Sequence, residues 1–268
     1  MSHLPSTSVS APVSRAVPHV SLASTSATSA SSASSAARSG PQPALARPRH
    51  LAIVPEGGPS ARSTALAWIE ALSQAIDCCS ANGVEHLSVF VSGKPSVKSD
   101  PLLEEVRGWL CGYAAALARA GIAVDVLGEP DAATAEAVRF ATRTANETRS
   151  AEKLRVHLAI GYDGRSELAA AARDLALEAA QHPGNPERVS PERLRQLLPS
   201  AALPPVDLLL RTGGETRLSQ FLMWQTAYAE LLFVESSWFD FTAQHLQLAL
   251  SDFAQRRRTF GGLNQNCR

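Results

Sequence analysis

The sequence lacks any apolar run long enough to cross a membrane, and it carries no excess charge of either sign. A membrane-spanning helix needs roughly 18 consecutive apolar residues, and no stretch here approaches that length. The 25 basic residues equal the 25 acidic ones, which argues against nucleic acid as a main partner and limits any membrane contact to a peripheral one. The 4 cysteines lack the spacing of a metal site, so a reduced, cytoplasmic protein is the simplest interpretation.

Acidic residues are absent from the start of the chain, where no Asp or Glu precedes Glu56. Residues 1–48 are rich in Ser, Ala, Thr and Pro, and such a segment cannot bury enough apolar surface to offset its ordering entropy. We therefore predict a disordered tail over residues 1–48 and one folded domain over residues 49–268. An organelle-targeting peptide is the alternative, because Ser-rich segments with Arg and without acids have that composition.

From His50 onward, short apolar runs alternate with segments of helical periodicity, the pattern of a parallel sheet with crossover helices. Strands are predicted at 51–54, 86–91, 122–127, 154–160, 206–210 and 231–234. Helices are predicted at 63–81, 101–120, 132–148, 165–180, 191–198 and 242–257, with a further one beginning at about Arg217. The predicted fold is a single α/β domain whose six-stranded, mostly parallel sheet has helices on both faces.

The stretch from 207 to 233 holds the clearest candidate site. An apolar run ends at Arg211, a glycine pair follows, and Arg217 and Ser219 lie where the next helix is predicted to begin. Ligands of open α/β sheets bind at the carboxyl ends of strands, and Arg engages phosphate oxygens in pairs. These residues therefore suit a diphosphate, although the spacing alone also fits an ordinary strand–helix connection with surface arginines.

A second candidate follows the first predicted strand, at Glu56, Gly57 and Gly58. The carboxyl ends of parallel strands share one edge of a sheet, so this turn is expected on the same edge as Arg211. A carboxylate there suits Mg²⁺, which prefers a few carboxylates together with phosphate oxygens. A solvated glutamate in a turn is the alternative.

The longer string RTGGETRLSQFLMWQTAYAEL at 211–231 resembles the C-terminal signature of the cis-prenyltransferases, the undecaprenyl diphosphate synthase family, with Gln220 in place of an Asn. The similarity continues at 238–241 and at 257–262. HLAIVPEGGPS at 50–60 lines up with the family's first motif, and GYDGRSEL at 161–168 resembles another. The resemblance therefore covers nearly all of the predicted domain.

This resemblance implies an elongated apolar tunnel and a Mg²⁺-dependent prenyl transferase. Its substrates would be an allylic prenyl diphosphate and isopentenyl diphosphate or a related five-carbon diphosphate. The roles it implies are catalysis by Glu56, Mg²⁺ binding by Glu56 and Glu230, allylic diphosphate binding at Gly57 and Gly58, and homoallylic diphosphate binding by Arg211, Arg217 and Ser219. The C-terminal similarity implies a homodimer, with a heteromer that contains an intact relative as the alternative.

The first motif departs from the family pattern. Glu56 replaces an Asp, and Gly58, Pro59 and Ser60 stand where the family has Asn-Gly-Arg. Pro59 also lacks the backbone N–H that a phosphate cradle uses. These changes predict a non-standard substrate or product. They leave one alternative from another class, a non-catalytic subunit that supports a separate catalytic partner.

Overall fold

The computed structural model describes residues 47–57, 64–93, 101–128, 153–182 and 189–258, together with positions 132, 135, 136, 139, 140 and 143. Nearly all of the predicted tail, most of the predicted helix at 132–148, and Gly58 and Pro59 of the first motif lie outside these residues. The proposed domain boundaries therefore stay predictions.

The elements follow the predicted alternation closely. The strands are β1 (His50–Val54), β2 (His86–Phe90), β3 (Ile122–Leu127), β4 (Leu154–Ala159), β5 (Leu208–Arg211) and β6 (Glu230–Phe233). The helices are α1 (Ala65–Ala81), α2 (Pro101–Arg119), α3 (Gly164–Gln181), α4 (Pro191–Leu197) and α5 (Ala243–Gln255), with a 3₁₀ turn at Trp238–Asp240. Among the described helices, none combines the length and the apolar character that crossing a bilayer requires.

The six strands form one sheet in the order β3-β4-β2-β1-β5-β6, and every neighbouring pair is parallel. The predicted sheet is thus confirmed, and it is parallel throughout. β1 lies near the centre, where Ile53 is paired with Val89 on one side and with Leu210 on the other. All five residues of β1 are buried, as expected for a strand with neighbours on both edges and layers on both faces.

Side-chain alternation divides the core into two layers. Leu51 and Ile53 face a large cluster that includes buried residues of α1, α2 and α5. Ala52 and Val54 face a second cluster, which contains Leu203, Val206, Phe221 and Leu222 from irregular segments. The first layer is therefore helical, whereas much of the second consists of loops packed against the sheet.

The helix predicted to begin at Arg217 is not present. Residues 221–228 form successive turns, and Leu222 adopts a φ of 48°, which is incompatible with a right-handed helix. Phe221 and Leu222 are buried, and the Phe221 ring packs edge-on against Tyr162 at 5.7 Å between centroids. Tertiary packing of these two side chains has overridden the local helical periodicity.

Three histidines lie together at the amino-terminal edge of the sheet. His50 is fully buried, with Nε2 2.8 Å from Ser88 Oγ and Nδ1 2.8 Å from the Pro204 carbonyl oxygen. The rings of His86 and His157 are stacked, with 5.5 Å between their centroids. Burial lowers the pKa of His50 to about 4. Burial, followed by the charges of His50, His86 and Arg155, lowers the pKa of His157 to about 3.

This cluster predicts a loss of stability at mildly acidic pH. Between about pH 6.5 and pH 4, the unfolded chain protonates His50 and His157 while the folded chain does not, so the free energy of unfolding falls as the pH falls. We expect a slope of up to about 1.4 kcal/mol per pH unit for each of His50 and His157. Urea unfolding at a series of pH values measures this slope.

The matched pair of variants is His157→Gln and His182→Gln, because His182 is exposed. The first substitution should remove about half of the acid-dependent slope, and the second should leave it unchanged. Equal slopes in the original protein and in His157→Gln would show that His157 does not contribute to the pH dependence of stability.

Candidate active site

The carboxyl ends of β1 and β5 bring Glu56 and Arg211 together, as predicted. Val54, the last residue of β1, is paired with Arg211 in the sheet, and Glu56 lies two residues beyond it. Arg211 Nη2 lies 2.6 Å from Glu56 Oε1. The Arg211 side chain is 7% exposed and the Glu56 side chain is 34% exposed, so this ion pair joins a buried cation to a carboxylate that solvent reaches.

Arg211 is more deeply placed than a surface ligand-binding arginine. Its Nη1 donates a hydrogen bond to the backbone carbonyl of Arg217, and its Nε is buried without a partner among the described residues. A guanidinium that contacts two loops in this way fixes their separation. In this structure Arg211 therefore positions Glu56, and these two contacts leave three of its five N–H donors unused, the buried Nε among them.

Backbone contacts also hold the Glu56 loop. Thr212 Oγ1 accepts a hydrogen bond from Glu56 N at 2.8 Å and donates one to the Glu56 carbonyl oxygen at 2.7 Å. Trp238 N donates to the same carbonyl at 2.9 Å. Because three hydrogen bonds to two other segments fix the backbone of this residue, its carboxylate has little freedom apart from side-chain rotation.

Glycines allow this loop to lie against its neighbours. Gly213 has a φ of 81°, and a Cβ atom there would lie 2.7 Å from the Glu56 carbonyl carbon. A Cβ atom at Gly57 would lie 1.9 Å from Ser237 Oγ. The N–H groups of Gly213 and Gly214 donate to the carbonyls of Ser236 and Val234. The glycine pair therefore serves close packing, and its N–H groups are not available to a phosphate.

A cavity of about 510 Å³ opens beside Glu56. Its volume falls in the usual range of roughly 300–1,000 Å³ for small-molecule sites. The described lining residues are Pro55, Glu56, Gly57, Trp68, Val91, Leu102, Gly213, Glu215, Trp238 and Phe239. The two carboxylates and the glycine loops form its polar part, and large apolar side chains form the remainder, as an amphiphilic ligand requires.

Arg217 and Ser219 follow Glu215 in the chain and are not among the described lining residues of the cavity. The Arg217 side chain is 75% exposed and pairs with Glu215 at 2.7 Å. Ser219 Oγ accepts a hydrogen bond from Phe221 N at 3.1 Å. The two predicted diphosphate contacts are therefore close in sequence to Arg211, but in this structure their side chains contact protein groups.

Glu230 is not brought together with Glu56. In the parallel sheet Arg211 is paired with Phe233, whereas Glu230 is paired with Leu208 at the opposite edge. With about 3.3 Å per residue, the strand alone separates the two levels by about 10 Å. The Glu230 carboxylate instead contacts Arg256 Nη1 at 3.2 Å. The prediction that Glu56 and Glu230 of one chain meet around one ion is therefore wrong.

The donor set beside the cavity remains compatible with Mg²⁺. Within the described part of the chain, no three His, Cys, Asp or Glu side chains form a group able to hold a metal. Mg²⁺, however, is commonly bound by one or two carboxylates together with substrate phosphates. Glu56 and Glu215 both line the cavity, so these two carboxylates fit that requirement when a diphosphate supplies further oxygens.

Glu215 and Trp68 were not identified as site residues from the sequence. Glu215 directly follows the glycine pair after β5, and that position was a usable signal. Trp68 lies in the first turn of α1, which follows the carboxyl end of β1, but an apolar residue of a predicted helix is as typical of core packing as of a cavity wall.

Fold and site together define an α/β protein with an amphiphile-sized cavity at the carboxyl edge of a parallel sheet. The family model described as putative undecaprenyl diphosphate synthase matches residues 61–261. The chain belongs to this family, the cis-prenyltransferases. The match begins after the Glu56 loop, which is the part of the sequence that departs from the family pattern.

Individual relatives agree with this assignment. Isoprenyl transferase 2 of Bradyrhizobium diazoefficiens is 34% identical over 85% of this chain and 95% of its own length. A ditrans,polycis-undecaprenyl-diphosphate synthase of Xanthomonas campestris pv. campestris, named as (2E,6E)-farnesyl-diphosphate specific, is 36% identical over 81% of this chain and 90% of its own.

Solved structures of two further proteins have similar folds. Lavandulyl diphosphate synthase from Lavandula x intermedia, solved with dimethylallyl diphosphate, gives a TM-score of 0.71 with 22% identity, covering 80% of this chain and 98% of that one. A probable undecaprenyl diphosphate synthase from Campylobacter jejuni gives 0.65 with 25% identity, covering 81% of this chain and 100% of that one.

The packing at Gly213 predicts that alanine destabilises the protein at this position but not at an open helical glycine. Gly213→Ala introduces an unfavourable φ and a contact with the Glu56 backbone, so we expect the free energy of unfolding to fall by about 1–3 kcal/mol. Gly108→Ala is the control, because a Cβ atom at this helical position meets nothing within 4 Å and should stabilise by about 0.5–1 kcal/mol. Chemical denaturation of both variants measures the difference, and equal stabilities would contradict the prediction.

Proposed function

We propose that this protein is a magnesium-dependent prenyl transferase that joins an allylic prenyl diphosphate to isopentenyl diphosphate or a related five-carbon diphosphate. One observation carries the proposal. A carboxylate fixed by a buried arginine lines a cavity whose other walls are large apolar side chains. A prenyl diphosphate has the same division into a charged head and an apolar chain.

The two substrates suit two parts of this edge of the sheet. The allylic diphosphate group is expected beside Glu56 and Gly57, with its chain against the apolar walls of the cavity. The second diphosphate is expected beside Arg217, whose side chain is 75% exposed, and beside Ser219. Arg217 then exchanges its contact with Glu215 for phosphate oxygens, which it can engage in pairs.

The chemistry explains the need for charge at this position. The bond between the allylic carbon and a diphosphate oxygen breaks, the alkene of the second substrate bonds to that carbon, and a proton is lost. A bound Mg²⁺ ion would neutralise the negative charge that develops on the leaving diphosphate. Glu56 holds the ion on this proposal, Glu215 is the second available carboxylate, and Arg211 keeps the Glu56 side chain in place.

The relatives support this substrate class, since one is named for undecaprenyl diphosphate synthesis from farnesyl diphosphate and another structure contains dimethylallyl diphosphate. The altered first motif supports a substrate or product other than the usual one. A homodimer and a cytoplasmic location stay predictions, and the C-terminal residues 259–268 on which the dimer prediction rests lie outside the described residues.

The direct test uses the purified full-length protein with Mg²⁺, labelled isopentenyl diphosphate and a panel of allylic diphosphates. We expect labelled prenyl diphosphate to form with at least one allylic partner, and a chelator in excess over Mg²⁺ to abolish it. If none of the allylic diphosphates gives product, the result contradicts the proposed prenyl transferase activity.

Glu56 and Glu230 should respond differently to loss of charge. Glu56→Gln removes the carboxylate at the cavity, and we expect kcat to fall by about 10²–10³-fold. Glu230→Gln removes a contact with Arg256 at the other edge and should have a much smaller effect within one chain. Mn²⁺ binding in the presence of a non-hydrolysed substrate analogue, followed by electron paramagnetic resonance, provides a second measurement. Equal losses in both variants would indicate that Glu230 reaches the ion, for example from a second copy.

A non-catalytic subunit is the second candidate function. The separation of Glu230 from Glu56 and the altered first motif favour it, because both weaken the usual metal and phosphate contacts. Product formation by the isolated protein excludes this function. If the isolated protein is inactive but stimulates an intact relative that copurifies with it, the non-catalytic function is supported and the transferase function is not.

A further inference from the structure

The apolar wall of the cavity is part of the main hydrophobic core. Trp68, Val91 and Trp238 line the cavity and also belong to the large core cluster. The Trp68 residue is 5% exposed and the Trp238 residue 1%. A ligand cannot extend past these rings without displacing packed core residues, which is costly because protein interiors are close-packed.

This wall is also held firmly. The rings of Trp68 and Trp238 lie 5.8 Å apart between centroids, and Trp238 Nε1 donates to the Trp68 carbonyl oxygen at 3.3 Å. On its other side Trp238 stacks on Phe241 at 5.3 Å. The Trp238 indole is therefore held by both of these contacts and packs against the Trp68 ring, which gives the cavity a close-packed wall on this side.

The volume sets the size of ligand that fits. A cavity of about 150 Å³ holds a six-carbon ring. By the same ratio, the cavity of about 510 Å³ holds roughly twenty non-hydrogen atoms. A diphosphate group accounts for roughly nine of these, which leaves room for about two isoprene units.

We propose that Trp68 limits the allylic substrate to short chains, of about two isoprene units, by walling the cavity off from the core. This inference rests on the proposed prenyl transfer and names its substrate class, namely dimethylallyl or geranyl diphosphate in preference to farnesyl diphosphate. Trp68 is the determining residue because, of the two helical side chains that line the cavity, it is larger than Leu102 of α2.

The test compares dimethylallyl, geranyl and farnesyl diphosphates with the full-length protein and with Trp68→Leu. Replacement by Leu removes about six non-hydrogen atoms, close to the size of one isoprene unit. We expect the original protein to use farnesyl diphosphate at least about 10-fold less well, by kcat/KM, than the better of the two shorter substrates. Trp68→Leu should narrow that ratio by at least about 10-fold.

The matched control is Trp109→Leu. Trp109 is 2% exposed and lies in the same core cluster, but it is not among the described lining residues of the cavity. Its replacement loosens the core without enlarging the cavity, so the chain-length ratio should stay unchanged. An equal change in both variants, or no change in Trp68→Leu, overturns the inference.

Binding measurements separate this inference from the proposed function. If no substrate gives product, the proposed transferase fails, and calorimetric titration with the same three diphosphates then decides the role of Trp68. Tighter binding of the shorter diphosphates, with a preference that is weakened in Trp68→Leu and retained in Trp109→Leu, supports the proposed role of Trp68. If none of the three binds, or if all three bind equally, that role is overturned. Trp68→Phe provides a milder replacement if Trp68→Leu does not fold.

Discussion

The contact between Arg211 and Glu56 determines the arrangement of this edge of the sheet. Removal of the Glu56 carboxylate would leave the buried Arg211 guanidinium without a counter-charge, which is unfavourable. Here the same guanidinium also contacts the backbone of the Arg217 loop. One cation thus fixes the carboxylate at the cavity and the loop that carries the exposed arginine, so the two proposed diphosphate positions keep a constant separation.

The parallel sheet gives its two edges different properties. At the carboxyl edge, glycines and loops surround an open cavity with acidic and basic groups. At the amino edge, buried uncharged histidines and the Asp207 carboxylate hold the strands together, and Asp207 Oδ2 accepts hydrogen bonds from the backbone N–H groups of Arg49 and His50. Ligand chemistry and structural polar contacts are therefore separated by the length of the strands.

Much of the fold followed from the sequence because local pattern and tertiary structure agree there. The alternation of apolar runs and helical segments predicted the six strands, and the ends of β1 and β5 placed Glu56 and Arg211 on one edge. The segment after the glycine pair was predicted wrongly, because the packing of Phe221 and the backbone of Leu222 depend on contacts distant in sequence. The burial of Arg211 depends on similarly distant contacts.

The error over Glu230 has a different origin. The predicted sixth strand began just after Glu230, and Glu56 followed the first strand. In a parallel sheet those two positions lie at opposite ends of the strands, so the predicted strand boundaries already implied that Glu56 and Glu230 are far apart. The family resemblance implies a shared metal-binding role for Glu56 and Glu230 but carries no information on the distance between them. The position of Trp68 in the cavity wall could not have been derived from the sequence, since an apolar helical residue is equally typical of the core and of a cavity wall.

The central place of β1 has a consequence for synthesis of the chain. Its neighbour β5 contributes Arg211, which lies 155 positions after Glu56. At roughly 5–20 residues per second, the ribosome needs about 10–30 s to make the intervening polypeptide. During that interval one side of β1 has no partner strand and the Glu56 carboxylate has no cation. The nascent chain therefore has to keep this side of β1 from pairing wrongly until β5 has been synthesised.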